Sequence, residues 1–453
     1  MNKNKIFLLV TLMICLFAIT SCNNAKDSLE GDTGVNSDTY TESEVEDISS
    51  ELEDNGEDLQ NTQEDELQES EETEGNVEET DVEDVSTEQT TEEVSENEIE
   101  DKEEIEEIDE ALEKISMMTL EEKIAQLFIV TPETISDVNG ATKVSEMSIS
   151  TFVKYPVGGV ILMGGNVVNP SQLKTFTNDL QQMSISENSI PLFISIDEEG
   201  GQVSRIASNP NFDVPVFRNL SEITESYDNA CYVGSSIGQY LSEYGINLDF
   251  APVADVLTQS SNTVVGKRAF SSDYTVVSTM VQGMIDGLHE YNILTSAKHF
   301  PGHGNTTGDS HDGFAYSDKT LEEIQNLELI PFAKAIESGT DIIMMGHVSM
   351  EEIIGDNRPS SISYTMVTEV LREYMGYDGV VVTDALNMGA LVNNYGSNET
   401  VILAVKAGVD MLLMPYNFEE NYNALLNAVK NGEISENRID ESVYRILKLK
   451  SKL

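Results

Sequence analysis

Short apolar segments alternate with amphipathic helical patterns from residue 118 onward, and this alternation limits the possible folds more than any other feature of the sequence. The strand segments are apolar without alternation, which is typical of parallel strands buried on both faces. Eight segments are predicted strands: residues 126–130, 159–163, 191–197, 247–253, 294–300, 341–347, 379–384 and 410–414. Seven helices are predicted between them: residues 171–183, 227–244, 274–291, 321–338, 364–374, 399–407 and 419–430.

Eight β–α units of this spacing predict an α/β fold, a (β/α)8 TIM-type barrel, over residues 105–453. An open doubly wound sheet is the alternative, but no Gly-x-Gly-x-x-Gly pattern follows the first predicted strand. Barrels carry their sites at the carboxyl ends of the strands. Four of the five histidines fall at such an end or on the loop beyond it: His299, His303, His311 and His347. This concentration of polar residues predicts a functional site at that rim.

Residues 1–21 have the features of a secretory signal peptide. Lys3 and Lys5 precede an apolar stretch of about 14 residues, and small residues follow it, which is the order of regions in such signals. The stretch is too short to span a bilayer. The sequence Ile19-Thr20-Ser21-Cys22 also resembles a bacterial lipobox, in which the cysteine is lipidated. We therefore expect a lipid anchor at Cys22, on the extracellular face of the cytoplasmic membrane. An ordinary signal peptide with an incidental cysteine is the alternative.

Residues 22–104 are predicted to be a disordered acidic linker. Between residues 27 and 101 there is no lysine or arginine, and Tyr40 is the one aromatic residue. So little apolar surface cannot offset the entropy of ordering the segment, and like charges extend it. We expect a solvated spacer, with cation or partner binding as the alternative. The whole sequence has 82 acidic and 25 basic residues, a net charge of −57, which argues against nucleic acid as a partner.

Three motifs at predicted strand ends combine residue types that carry chemistry. Residues 196–205, IDEEGGQVSR, place a carboxylate cluster before a glycine turn and a returning arginine. Residues 298–311, KHFPGHGNTTGDSH, are a strand end followed by a glycine-rich loop. Residues 382–386, VTDAL, place a single carboxylate at the end of a buried strand.

Together these motifs resemble the family 3 glycoside hydrolases, in particular their single-domain β-N-acetylglucosaminidase (β-N-acetylhexosaminidase) branch. The resemblance covers residues 118–453 and is most specific in residues 298–311. It implies that Asp384 is the nucleophile and that His311, assisted by Asp309, is the acid/base. It implies a metal-free mechanism without a cofactor. It also implies that the following residues hold the terminal sugar: Asp197, Arg205, Arg268, Lys298 and His299.

These residue types suit the implied roles. A short carboxylate on a rigid strand can attack an anomeric carbon and form a glycosyl-enzyme intermediate. Imidazole titrates near neutrality, so it can protonate a leaving oxygen and then deprotonate water. Gly302, Gly304 and Gly308 are expected to let the histidine-bearing loop swing toward a bound sugar. Glu198 and Glu199 are weaker candidates, and Asp255 and His347 are expected to support the site without touching the sugar.

The resemblance implies a retaining exo-β-N-acetylglucosaminidase. Its expected substrates are peptidoglycan fragments or chitin-type oligosaccharides with a terminal β-linked N-acetylglucosamine. The carbohydrate is the expected partner, the lipid anchor is the expected membrane contact, and a monomer is the default expectation.

Asn305 stands where the family usually has Asp, which puts a contact of the loop in question. The sequence also ends soon after its last barrel unit, without the second domain of many relatives, which favours the N-acetylglucosaminidase branch.

Several other functions are compatible with parts of the sequence. A β-N-acetylglucosaminide phosphorylase or another family 3 β-glycosidase would share the barrel and the nucleophile. A non-catalytic surface sugar-binding lipoprotein would share the anchor and the pocket. A zinc site at His299, His303 and His311 is disfavoured because their spacing matches no usual ligand pattern. The Gly-x-Ser-x-Gly pattern at residues 234–238 lies inside a predicted helix, so it is not expected to be a hydrolase elbow.

Overall fold

All eight predicted strands form one parallel sheet in sequence order. The barrel strands are β1 (Phe128–Val130), β2 (Gly159–Leu162), β3 (Phe193–Ile196), β4 (Leu248–Asp249), β5 (Leu294–Phe300), β7 (Ile342–Met345), β9 (Val380–Thr383) and β10 (Leu412–Leu413). Each pairs with its neighbour, and β10 pairs with β1. A parallel bridge between Val382 and Met411 joins β9 to the residue before β10 and completes the ring. The predicted (β/α)8 TIM-type barrel is therefore confirmed.

The structure is a computed structural model, and it describes residues 109–307 and 315–453. The predicted signal peptide, Cys22, the acidic linker and the domain boundary at residue 105 lie outside the described residues. So do two predicted site residues, Asp309 and His311. Within the described part of the chain, no helix combines the length and the apolarity needed to cross a membrane.

Helices connect consecutive strands and cover the outside of the barrel. Six of the seven predicted helices are present with shifts of a few residues at their ends. The helices are Glu110–Met117, Leu120–Gln126, Pro132–Ser136, Glu146–Lys154, Pro170–Asn188, Tyr227–Glu243, Tyr274–His289, Leu321–Gln325, Leu329–Glu337, Glu351–Ile354, Gly389–Tyr395, Ser397–Ala407, Phe418–Lys430 and Glu436–Lys450, with a π-helix at Thr365–Tyr374. A two-stranded parallel ribbon of β6 (Ala315–Tyr316) and β8 (Val348–Ser349) lies outside the barrel sheet.

The single helix predicted at residues 321–338 is wrong, because the structure has two helices there. Leu321–Gln325 ends at Asn326, and Leu329–Glu337 starts after Glu328. Pro331 explains the break: its nitrogen cannot donate to the carbonyl four residues earlier, so it is tolerated only in the first turn of a helix. A new helix therefore starts just before it.

The Gly-x-Ser-x-Gly pattern is a helix–helix contact. It lies in Tyr227–Glu243, which packs closely against Tyr274–His289. A Cβ added at Gly234 would lie 2.4 Å from the carbonyl oxygen of Met284, so only glycine permits this approach. The expectation that this pattern is not a hydrolase elbow is confirmed.

The last helix is tied to the amino-terminal end of the barrel by a buried charge cluster. Asp410 is fully buried, and its Oδ2 accepts a hydrogen bond from Nη2 of Arg372 at 2.6 Å. Arg438 and Arg445, both in Glu436–Lys450, approach its Oδ1 at 3.6 and 3.4 Å. Burial raises the pKa of a carboxyl, but the three guanidinium groups outweigh burial and lower the pKa of Asp410. The cluster therefore holds the C-terminal helix against the base of the barrel.

Candidate active site

A cavity of about 480 Å³ opens at the carboxyl ends of the barrel strands. All six predicted site residues within the described part of the chain line it: Asp197, Arg205, Arg268, Lys298, His299 and Asp384. They come from the ends of β3, β5 and β9 and from the loops after β3 and β4. The barrel brings them together because the carboxyl ends of parallel strands meet at one rim.

Lys298 lies between two carboxylates at the centre of this cavity. Its buried Nζ donates to Asp197 Oδ1 at 2.8 Å and lies 2.6 Å from Glu199 Oε1. Burial lowers the pKa of a lysine, but the charges of Asp197 and Glu199 outweigh burial and raise the pKa of Lys298. Lys298 is therefore a fixed cation, and it holds the carboxylates of Asp197 and Glu199 in set positions.

Glu199, a weaker candidate from the sequence, forms ion pairs with both Lys298 and Arg268. Arg268 binds it in a bidentate manner, with Nε donating at 2.9 Å and Nη2 at 2.7 Å. Burial raises the pKa of a carboxyl, but Lys298 and Arg268 outweigh burial and hold the pKa of Glu199 far below its usual range. A bidentate pair fixes the plane of the guanidinium. Arg268 is therefore held with its Nη2 3.2 Å from Nε2 of His299.

Asp255 holds two histidines, His299 near the end of β5 and His303 in the loop that follows it. It is fully buried, and its Oδ2 lies 2.7 Å from Nδ1 of His299. Its Oδ1 accepts the backbone N–H of His303 at 2.6 Å. Burial, followed by the nearby His299, lowers the pKa of His303. The structure thus places Asp255 behind the histidines, away from the cavity, as the sequence suggested.

Asp384 also lines the cavity and directly follows β9. Its backbone N–H donates to the carbonyl of Met345 at 2.9 Å, and its Oδ1 accepts the N–H of Ala385 at 2.7 Å. Burial raises the pKa of a carboxyl, but the imidazoles of His299 and His347 and the N–H of Ala385 outweigh burial and hold the pKa of Asp384 at about 2. The carboxylate is therefore ionised at every physiological pH, which a nucleophile requires.

Glu198, between Asp197 and Glu199 in the sequence, is not part of the cavity lining. It is buried beneath Tyr227–Glu243, and its Oε1 accepts the hydroxyl of Tyr240 at 2.9 Å. Its carboxylate also accepts the backbone N–H groups of Arg205, Ile206 and Ala207. Glu198 therefore braces the turn that returns Arg205 to the cavity, where Nη2 of Arg205 lies 3.6 Å from Oδ2 of Asp197.

Gly302 and Gly304 lie in tightly packed positions. Both are buried, and Gly302 has a φ of +128°. A Cβ at Gly304 would lie 2.2 Å from the carbonyl oxygen of Val256, and a Cβ at Gly302 would lie 2.9 Å from Cβ of Glu328. Glycine at these positions therefore allows close approach of neighbouring atoms. That these glycines let the loop swing toward a bound sugar stays a prediction, and Gly308 lies outside the described residues.

The cavity lining also contains apolar side chains, which the sequence analysis missed. Four methionines contribute to it: Met163, Met344, Met388 and Met414. Val203 and Val264 add two branched side chains. Met163 and Met414 immediately follow β2 and β10, so their position at the rim could have been read from the predicted strand ends. The cavity lining thus combines charged and apolar side chains.

A charged, sugar-sized cavity at the carboxyl rim of a (β/α)8 barrel, with an ionised carboxylate on a strand end, has the architecture of a barrel glycoside hydrolase. The model of the glycosyl hydrolase family 3 N-terminal domain matches residues 119–449. The chain belongs to this family.

Similar proteins are found among curated sequences and solved structures. The chain is 34% identical over 326 residues to β-hexosaminidase A of Pseudoalteromonas piscicida, covering 66% of this chain and 54% of that one. It is 30% identical to β-hexosaminidase LpqI of Mycobacterium tuberculosis, covering 74% of this chain and 84% of that one. A family 3 β-N-acetylglucosaminidase structure from Paenibacillus sp. str. FPU-7 superposes with a TM-score of 0.70 at 34% identity, covering 74% of this chain and 62% of that one. The chain therefore spans about half the length of the first relative.

Proposed function

We propose that the protein is a retaining exo-β-N-acetylglucosaminidase. The observation that carries this proposal is Asp384, an ionised carboxylate in the wall of a cavity that also contains Lys298, Arg268 and Asp197. A sugar ring needs charged donors and acceptors at fixed positions for its hydroxyls. The family membership and the names of the β-hexosaminidase relatives support the same proposal.

In the proposed mechanism, a carboxylate oxygen of Asp384 bonds to the anomeric carbon while the glycosidic bond breaks. His311 donates its proton to the departing oxygen, and Asp309 orients the imidazole. A water molecule then attacks the anomeric carbon of the glycosyl-enzyme. His311 takes a proton from that water, and Asp384 is released. The anomeric configuration is retained because the carbon is inverted twice.

The charged and apolar side chains of the cavity lining suit the two kinds of group on N-acetylglucosamine. Asp197, Arg205 and Lys298 offer acceptors and donors for the ring hydroxyls. The methionine and valine side chains offer apolar surface that suits the methyl group of an acetamide. A plain glucoside lacks that methyl group, so its binding would gain less from these side chains.

We further propose that the protein acts at the outer face of a bacterial cytoplasmic membrane, anchored through Cys22. Its substrates there would be N-acetylglucosamine-capped peptidoglycan fragments, with chitin-type oligosaccharides as the second choice. The lipobox-like residues 19–22 and the acidic segment that follows them support this location. Cys22→Ala should move the protein from the membrane fraction to the soluble fraction. Unchanged partitioning would count against lipidation.

The test of the activity uses the full chain on 4-nitrophenyl β-N-acetylglucosaminide and 4-nitrophenyl β-glucoside, with and without inorganic phosphate. Preference for the first substrate without phosphate supports the proposal. Strong dependence on phosphate would identify a phosphorylase, and preference for the glucoside would identify another β-glycosidase.

The nucleophile is tested by Asp384→Asn, with Asp213→Asn at an exposed position as the matched control. We expect the first variant to lose turnover by at least a thousandfold and to form no glycosyl-enzyme by intact mass, while the control behaves as the wild type. Retained activity in Asp384→Asn would overturn the mechanism. Binding of N-acetylglucosamine by the wild type without any turnover would identify a sugar-binding protein.

A further inference from the structure

We propose that Glu328 is a positioning residue for catalysis, because it holds together the two ends of the loop that contains the predicted acid/base. Residues 308–314, which include His311, lie between Asn305 and Lys319 in the sequence. Both of these residues bind the same carboxylate oxygen of Glu328. We call Asn305, Lys319 and Glu328 the loop clamp. The inference rests on the proposed function, since it takes His311 as the proton donor.

The loop clamp is built around one buried carboxylate. Glu328 is 1% exposed, and its Oε1 accepts a hydrogen bond from Nδ2 of Asn305 at 2.7 Å. Nζ of Lys319 forms an ion pair with the same oxygen. The side chain of Lys319 is 23% exposed, so solvent screens this pair only in part. The carboxylate of Glu328 thus joins Asn305, on the amino-terminal side of residues 308–314, to Lys319, on their carboxyl-terminal side.

Among the described residues, the side chain of Glu328 makes no other polar contact that would explain its burial. It occupies the N-cap position of Leu329–Glu337, but its side chain makes no capping hydrogen bond. Its second oxygen, Oε2, is buried without a hydrogen-bond partner in the described part of the chain. Burying a carboxylate is costly unless it is paired. The contacts that offset this cost are those to the two ends of the loop.

Neighbouring backbone contacts hold the same two ends. Thr307 and Tyr316 exchange two backbone hydrogen bonds of 3.1 Å, which brings the residues flanking the loop together. Tyr316 belongs to β6, which pairs with β8. Gly302 also packs against the side chain of Glu328, as described above. The loop clamp therefore adds side-chain contacts to the backbone contact between Thr307 and Tyr316. Both kinds of contact hold the residues on the two sides of the loop together.

The loop clamp also gives a reason for Asn305, the departure from the family's usual Asp. The amide Nδ2 donates to the carboxylate, whereas an Asp at this position would place a second anion about 3 Å from Glu328. Only Lys319 would then balance two buried negative charges. The amide is thus the matching partner for Glu328 in this chain.

The inference is tested by comparing substrates with good and poor leaving groups. Glu328→Gln keeps the shape and removes the anion, and Asn305→Asp adds the repelling anion. Glu337→Gln, at the exposed end of the same helix, is the matched control. The readout is kcat/KM, which reports the first step, because the second step needs His311 as a base whatever the leaving group. For 4-methoxyphenyl β-N-acetylglucosaminide, whose departure needs a proton, we expect the two clamp variants to lower kcat/KM by about tenfold. For the 2,4-dinitrophenyl substrate, whose departure needs none, kcat/KM should fall less than about twofold. The control should be unchanged for both substrates.

A merely structural role would lower both rates equally, or neither, and either result would overturn the inference. Hydrogen exchange of peptides from residues 301–320 gives a readout that does not need activity. Faster exchange in the two clamp variants than in Glu337→Gln is expected, and equal exchange would also overturn the inference. If the wild type turns over no β-N-acetylglucosaminide, the proposed function fails, and the exchange experiment still decides whether Glu328 holds the loop.

Discussion

Replacing Lys298 with methionine tests the charge network at the centre of the cavity. The change keeps an unbranched side chain of nearly the same length and removes the cation that lies 2.8 Å from Asp197 and 2.6 Å from Glu199. Glu199 keeps Arg268 as a partner, but the nearest remaining cation to Asp197 is Arg205 at 3.6 Å. Removing one partner from a buried ion pair costs about 3–5 kcal/mol, because the other charge stays buried.

The expected change in melting temperature follows from the size of the barrel. Unfolding entropy is about 2.1 cal/mol/K per residue, so a barrel of roughly 340 residues has about 0.7 kcal/mol/K. A loss of 3–5 kcal/mol therefore lowers Tm by about 4–7 °C at pH 7. Differential scanning calorimetry measures this directly. Lys334→Met, which removes a surface partner of Glu337, is the matched control and should change Tm by less than about 1 °C.

The pH dependence of this loss is the sharper part of the prediction. The pKa of Glu199 is held far below its usual range in the folded protein. Its contribution to stability is therefore complete above the unfolded pKa, near 4.5, and is lost as the pH falls through the folded pKa. Without Lys298 the folded pKa of Glu199 rises, so the difference in Tm between variant and wild type should shrink below about pH 4. An equal Tm at pH 7, or a difference that grows toward acid pH, would refute the reasoning.

Three further changes test other parts of the structure. Asp410→Asn should lower the free energy of unfolding in urea by about 3 kcal/mol, because three guanidinium groups lose their buried anion, while kcat of the folded protein stays unchanged. Gly304→Ala should lower both stability, by about 1–3 kcal/mol, and turnover, because the new methyl group would meet the carbonyl of Val256; wild-type values in both assays would contradict the packing argument. His347→Gln removes an imidazole that lowers the pKa of Asp384, so the acid limb of the kcat/KM profile should move upward from about pH 2; an unmoved limb would count against that coupling.

The strands were predictable because each lies between two apolar layers. Burial on both faces leaves unbroken apolar runs, such as Ile342–Met345, that no solvent-exposed segment would tolerate. Six of the eight observed strands end one to four residues before the predicted end, whereas β1 and β5 end where predicted. At β3 and β9 the strand stops directly before a polar site residue, Asp197 and Asp384 respectively.

The helices were less predictable where a single residue determines whether a helix continues. Pro331 ended a helix that the apolar pattern alone would continue. Glu146–Lys154 was missed because three of its apolar residues, Met147, Ile149 and Val153, are exposed, and the pattern shows no clear buried stripe.

The site was predictable as a set of residues but not as a set of contacts. The motifs named the side chains that line the cavity, because residue type and strand-end position are visible in a sequence. They did not separate Glu198 from Glu199, since both follow β3 and only the folded chain shows that Glu198 contacts Tyr240 while Glu199 lines the cavity. The apolar residues of the cavity lining were missed because the methionines among them resemble ordinary core residues in the sequence.

The charge cluster at the base of the barrel has a consequence for biosynthesis. Asp410 precedes the last barrel strand, but two of its three guanidinium partners, Arg438 and Arg445, lie in Glu436–Lys450, which is synthesised after that strand. A nascent chain that ends before this helix would bury Asp410 with Arg372 as its one guanidinium partner. Closure of the ring is therefore disfavoured until residues 436–450 have been made. This helix thus couples closure of the barrel to the synthesis of both arginines.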